Sequence, residues 1–171
     1  MDQLGFIRDK LDIKILILFV LRRLPAPVEP DTLLELCQVD DAIGYFDYSD
    51  CISELLQSEH MQETEDGFQI TEKGARNAEA VESSLPYSVR SRALKRIAPV
   101  EERMRRQAMI TARHTLDEKG CMVELAVADG KGEMIHLQLL CSGEEQARKM
   151  EKRFRKDAEA YYLKIVELLS Q

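Results

Sequence analysis

The sequence predicts an α+β fold, and three features point to it. Residues 61–71 hold a short strand, an Asp-Gly turn and a second short strand between two helical patterns. Two runs between residues 121 and 141 alternate apolar and polar with the period of a half-buried strand. The last stretch returns to apolar residues every three or four positions. Together these give an N-terminal winged helix-turn-helix followed by a three-stranded antiparallel sheet covered by a long C-terminal helix. The expected divisions are a first domain over 1–84, a connecting helical segment over 85–106, and sheet plus last helix over 107–171.

Taken in order, Leu4 to Lys10 is a short arm or an added helical turn. A helix follows from about Asp12, its candidate cap, to Leu24. Ile13, Leu16, Ile17, Val20, Leu21 and Leu24 form one stripe, which Ile15, Leu18 and Phe19 widen. A helix this apolar is covered on several sides. Pro25-Ala26-Pro27-Val28 breaks it and holds a short extended piece. Thr32-Leu-Leu-Glu35 fits a capping box for a helix over Thr32–Cys37. Val39 to Tyr45 forms the turn, with Asp40-Asp41 solvated and Gly44 a candidate left-handed position. The third helix spans Tyr45 to Glu59, capped by Asp47 or Ser49, with Tyr45 and Phe46 packed at its start. Asp66-Gly67 then forms the wing tip, and Thr71 caps a fourth helix that ends near Ser83.

Ser84-Leu85-Pro86 is a joint. A helix over Ser88–Arg106 follows, either continuous or broken at Pro99 into two. Met109 to Leu116 is the first strand of the sheet. Asp117-Glu-Lys-Gly120 and Asp129-Gly-Lys-Gly132 are its turns. Ser142-Gly-Glu-Glu145 reads as a capping box for the last helix. Ala147, Met150, Phe154, Ala158, Tyr161, Ile165 and Leu168 line one face of that helix. Its far end carries more apolar surface than one small sheet needs, which suggests a second subunit and a homodimer.

The chain has 171 residues, 44% hydrophobic and 32% charged, as in ordinary soluble proteins. Nothing near Met1 reads as a signal peptide, and the apolar run Ile15–Leu21 is shorter than the roughly 20 residues of a membrane span. A cytoplasmic protein with no membrane partner is the expectation. Cys37, Cys51, Cys121 and Cys141 have no metal-type spacing and read as reduced, buried thiols. His60, His114 and His136 have no ligand partner nearby in sequence, and no nucleotide-binding or hydrolase motif occurs. No cofactor, metal or catalytic residue is expected, so the chain reads as a non-enzyme.

Charge is the most informative compositional feature. The net charge is −7, yet residues 1–83 hold 7 Lys and Arg against 18 Asp and Glu, while residues 84–171 hold 17 against 13. In a helix-turn-helix protein the second helix of the motif enters the major groove and the wing touches the backbone. Here that helix offers Asp47, Asp50, Glu54 and Gln57, and the wing offers Glu65, Asp66 and Gly67. Carboxylates near phosphate are unfavourable, because nucleic-acid affinity rests on Lys and Arg. The basic residues lie elsewhere: Arg90, Arg92, Lys95 and Arg96 in the connector, and Arg148, Lys149, Lys152, Arg153 and Lys156 on the last helix. They are candidates for phosphate contact or for pairing with an acidic partner, including the first domain. Two functions fit these residues. One is a transcription-regulator-like protein that contacts DNA. The other is an interaction or dimerisation module without DNA binding, whose acidic helix docks a basic protein.

The apolar first helix Ile13–Leu21, Tyr45-Phe46, Ser53-Glu54-Leu55 and Ile70-Thr71-Glu72-Lys73-Gly74 also carry a resemblance. Over most of its length the chain resembles an uncharacterised family of winged-helix-like proteins from Firmicutes, chiefly clostridial bacteria. The last motif is similar to one found in winged-helix repressors that sense phenolic acids or multiple drugs. The resemblance implies a cytoplasmic bacterial winged helix with a regulator-like role, and no enzymatic activity to carry over.

Overall fold

The structure, a computed structural model, describes residues 6–39, 43–118 and 120–170. The expected arm from Leu4, the Asp40-Asp41 turn and Lys119 of the first sheet turn lie wholly or partly outside these residues. The chain forms two compact units, Met1–Met104 and Arg105–Gln171, each with its own apolar core. Residues 85–104, assigned from composition to a connector, thus fall in the first unit.

The first unit is built on α1 (Lys10–Leu21), which buries Ile13 and every residue from Ile15 to Leu21. Its cap is Asp9 rather than Asp12. The Asp9 carboxylate accepts from the Asp12 N–H at 3.0 Å, and Asp12 in turn accepts from the Arg8 N–H at 3.0 Å. One orphan donor of the helix and the N–H of the residue before its cap are satisfied by this exchange. Helix α2 (Pro30–Cys37) begins two residues before the expected Thr32 box, because Pro30 occupies the first turn, where its fixed φ fits and its missing N–H costs nothing. Helix α3 (Tyr45–Gln57) starts from Gly44, and neither Asp47 nor Ser49 caps it. Gly44 has φ −72°, so it is not left-handed.

Strands β1 (Met61–Thr64) and β2 (Gly67–Ile70) pair as an antiparallel hairpin with Met61 opposite Ile70. The turn residues are Glu65 and Asp66, one position before the expected pair, and Gly67 opens β2. Val28 exchanges two backbone hydrogen bonds with Phe68, at 2.8 and 2.9 Å, which adds a one-residue third strand. Gly67 has φ +120°, and a Cβ there would lie 2.2 Å from the Val28 carbonyl oxygen, so both conformation and space require glycine. Helix α4 (Glu72–Val81) is capped as expected by Thr71, whose hydroxyl accepts from the Gly74 N–H at 3.1 Å.

A 3-10 turn (Glu82–Ser84) leads to α5 (Tyr87–Ala108), which is one continuous helix. Pro99 lies inside it on an exposed face, and Lys95, four residues earlier, is also exposed. Water can therefore solvate the carbonyl that proline leaves unpaired. Val89, Ala93 and Ile97 of α5 are buried in the first core.

The second unit is a meander of β3 (Ile110–Asp117), β4 (Gly120–Asp129) and β5 (Gly132–Cys141), in the order β3-β4-β5. The second turn is held by the Asp129 carboxylate, which accepts from the Lys131 and Gly132 N–H groups at 2.7 and 3.0 Å. Helix α6 (Glu144–Leu169) packs Ala147, Phe154 and Ala158 on Ala112, Cys121, Val123 and Leu125. The Ser142 box is not formed as expected. Gly143 is the cap position, and Ser142 donates through both its N–H and hydroxyl to the Gln146 side chain. Helix α6 departs from helical geometry at Asp157 (φ −150°, ψ 46°), and the stacked rings of Phe154 and Tyr161 span that break at 6.0 Å.

Candidate functional site

Helix α3 presents three distinct faces. Tyr48, Cys51, Ile52 and Leu55 are buried against the first core. On one shoulder stand Asp47, Asp50 and Glu54, spaced one turn apart. They do not form a bare acidic face. Lys10 on α1 reaches Asp50 at 2.6 Å and Asp47 at 3.6 Å, and Lys14, one turn further along α1, pairs with Glu54. The bond to Asp50 raises the Lys10 pKa, outweighing the opposing effect of desolvation, and the Asp47 and Asp50 charges add to it. The third face is the outward row of Phe46, Ser49, Ser53 and Gln57, all exposed and none of them charged.

At the head of α3 the two aromatic residues are exposed, not packed as expected. Tyr45 is 65% and Phe46 84% accessible, and their rings meet edge to face at 6.0 Å. The reason is positional. Helix α3 starts at Tyr45 and its buried row begins only at Tyr48, so the first core does not reach the first turn, although Tyr45, three residues before Tyr48, shares that row's face.

The foot of α3 is fastened by backbone geometry. Glu59 sits at φ +58°, the His60 N–H donates to the Leu55 carbonyl, and the Glu59 N–H donates to the Leu56 carbonyl, each at 3.0 Å. This pair of bonds closes a helix end through a left-handed residue, a place usually taken by glycine. Thr71 donates from its hydroxyl to the Glu59 carbonyl at 2.7 Å and from its N–H to the His60 carbonyl at 3.1 Å, and Lys73 reaches the Ser58 carbonyl at 2.7 Å. His60 lies between Ser58 and Asn77, at 2.8 Å through Nδ1 and 2.6 Å through Nε2. Ser58 donates its hydroxyl to the Glu54 carbonyl at 2.7 Å, so it accepts from Nδ1–H while Nε2 accepts from Asn77. That arrangement suits a neutral ring. Burial, and then the Lys73 charge, accordingly lower the His60 pKa.

An open groove of about 450 Å³ lies beside this corner, lined by Leu11, Ile15, Leu18, Leu55 and Val81 with His60 at its polar end. The groove's other polar lining groups are Lys14, Glu54, Ser58 and Asn77, of which Lys14 pairs with Glu54 while Ser58 and Asn77 bond to His60, so these groups are already engaged with one another.

Among the basic candidates, Arg96 donates to the Glu35 carbonyl at 2.9 Å and so helps join α5 to α2. Arg90 and Arg92 are half-buried on α5, and Lys95 is exposed. Arg148 and Lys149 pair with Glu144 and Glu145 four residues earlier on their own helix. The Glu144 carboxyl is held below its usual range, first by the Arg148 hydrogen bond. Lys152, Arg153 and Lys156 are exposed on α6. In the hairpin, Glu65 and Asp66 form the exposed turn and Gly67 its return. The four cysteines are free and buried, and among the described residues no cluster of His, Cys, Asp and Glu could hold a metal.

The pairing of Lys10 and Lys14 with the α3 carboxylates escaped sequence reasoning, yet a signal existed. Two lysines one turn apart on the first helix match the one-turn spacing of Asp50 and Glu54.

These features define a mixed α+β chain whose first unit displays one helix beside a tightly held hairpin. No helix among the described residues is long and apolar enough to cross a membrane. The model of the family described as a domain of unknown function, DUF4364, matches residues 13–169, and the chain belongs to that family. No curated protein and no solved structure matches the chain.

Proposed function

We propose that the first unit is a winged helix and that the protein is a non-catalytic, transcription-regulator-like protein that contacts DNA through α3. The arrangement of α1, α2 and α3, the hairpin paired with Val28, and α4 supports the winged-helix reading. The observation that carries the DNA reading is the outward row of α3. Lys10 and Lys14 pair with the three carboxylates, which offsets their charge beside the exposed row of Phe46, Ser49, Ser53 and Gln57. Gln pairs with adenine through two bonds, Ser bonds to any base edge, and an aromatic ring packs on a thymine methyl group. Lys95 on α5 and Lys152, Arg153 and Lys156 on α6 are the exposed cations suited to phosphate.

The test is retention of fragments of the source genome by the purified protein at low and at physiological salt. Sequence-selective retention that weakens steeply with salt is expected. Gln57→Ala should relax selectivity at one position, while Lys152→Ala should weaken all fragments alike and flatten the salt dependence. No retention at low salt overturns the reading.

A second reading rests on Tyr45 and Phe46. Two exposed, adjacent aromatic residues beside Asp47 and Asp50, with Glu63, Glu65 and Asp66 in the hairpin, suit an anchor for a basic protein partner. Under this reading Phe46→Ala abolishes partner binding, and DNA retention is absent for wild type and variant alike.

A further inference from the structure

The two edges of the sheet in the second unit are finished differently. Strand β3 is held against α6. Arg155 donates to the Ala112 carbonyl at 2.7 Å, and His114 meets Glu151 at 2.7 Å, with Glu144 further off at 3.7 Å. Strand β5 has β4 on one side and, among the described residues, no strand on the other. It is ten residues long and contains no proline, lysine or arginine. Natural edge strands of this length are blunted by such residues, or by cover, because their free N–H and C=O groups template pairing with another chain. Here the only local irregularity is the register shift opposite Val127 and Ala128, which leaves residues 135–141 regular.

The same edge lacks side-chain cover. In register, β5 presents Ile135, Leu137, Leu139 and Cys141 on the face that α6 packs, opposite Val127, Leu125, Val123 and Cys121. The row on β4 is fully covered at Cys121, Val123 and Leu125. On β5, Ile135 and Leu137 are only half-buried and Leu139 is 39% exposed, while Leu140 on the other face is 66% exposed. An apolar row and a bare backbone edge therefore coincide.

We infer that this edge is a self-association surface, and that β5 pairs antiparallel with β5 of a second copy about a two-fold axis at Leu137. The strand is complementary to itself in that register. Leu137 would face the second Leu137, Ile135 would face Leu139, and His136 would face Gln138. Apolar residues thus oppose apolar ones on the helix-covered face, and on the other face polar His136 opposes Gln138 while apolar Leu140 falls opposite Met134, as cross-strand pairs require. The product is a continuous six-stranded sheet in which each copy finishes the cover that α6 leaves incomplete. The contact is isologous, so it closes as a dimer and does not propagate. A second copy is favoured over an unrelated strand because this one register satisfies both faces at once. It differs from the surface that sequence alone suggests, the apolar end of α6.

Sedimentation equilibrium of the full chain, with hydrogen exchange of β5, tests it. Wild type should be a dimer at micromolar concentration, and β5 amide protection should rise with protein concentration. Leu139→Lys puts a cation against Ile135 of the second copy and should be monomeric, with its circular dichroism retained. Leu169→Lys, at a residue 83% exposed at the end of α6, should remain a dimer. If Leu139→Lys does not fold, Leu140→Lys carries the same test from the opposite face. A monomeric wild type overturns the inference. So does a dimer that survives Leu139→Lys, or one that Leu169→Lys breaks.

Discussion

Helix α1 and the end of α6 beyond Asp157 are both rich in apolar residues, and they meet opposite fates. In α1 every residue from Ile15 to Leu21 is buried, with Leu16, Ile17 and Val20 wholly inaccessible. In the part of α6 beyond Asp157, Tyr161, Leu163, Val166, Leu168 and Leu169 are all at least 38% exposed. Sequence patterning registers both alike, because it counts apolar side chains and not what surrounds them. The difference lies in the partners. Helix α1 is wrapped by α2, α3, α4 and the hairpin, whereas α6 has one three-stranded sheet and covers it with its first half.

The sharpest test of this contrast is a matched pair of truncations. Leu16→Ala should cost about 2–5 kcal/mol in chemical denaturation, as large-to-small changes in packed cores do. Leu169→Ala should change the stability by no more than about 0.5 kcal/mol. Equal costs would mean that the end of α6 is as enclosed as α1. Gly74→Ala probes the same core from the backbone side. A Cβ at position 74 would lie 1.9 Å from the His60 carbonyl oxygen, so α4 must retreat from the α3 corner, at a cost of about 1–3 kcal/mol or more. A melting temperature unchanged from wild type would refute that close approach.

Charge supplies the next effect. Burial alone pushes the Glu82 carboxyl up, but hydrogen bonds and charge from Arg23 and Arg22 overcome it and hold the group below its ordinary 4.5. A carboxyl depressed in the folded state contributes stability above its unfolded value and loses it as pH falls through the folded one. Glu82→Gln should therefore cost about 1–2 kcal/mol at neutral pH, a difference that shrinks below pH 4.5. A pH-independent difference would remove the ion pairs as its cause. The smallest effect is a gain. Glu59 holds φ +58°, so Glu59→Gly should stabilise the protein by about 1 kcal/mol, read as a higher melting temperature.

Local chemistry was the legible part of the fold. The Thr71 cap, the hairpin, the second sheet turn and the alternation of β4 and β5 each depend on residues within a few positions of one another. Even the edges that slipped did so for local reasons: Pro30 starts α2 early, and Asp9 rather than Asp12 caps α1. What sequence could not supply were facts set by distant residues. The lysines that pair with the α3 carboxylates come from α1, 40 positions away in the case of Lys10 and Asp50. The exposure of Tyr45 and Phe46 depends on how far the first core reaches along α3, whose buried row begins at Tyr48. The break at Asp157 has no proline or glycine beside it to announce it. The candidate site was thus readable as a list of α3 residues, but not as three faces with different charges.

The bonds that gather Ser58, Glu59 and His60 to Thr71, Lys73 and Asn77 make residues 58–77 a loop closed at its neck. Between the neck bonds lies only the hairpin, itself fixed midway by Val28. A segment so closed behaves as a cassette. Its tip at Glu65 and Asp66 can be exchanged for another length or charge, and the angle between α3 and α4 is held by bonds that the exchange never touches.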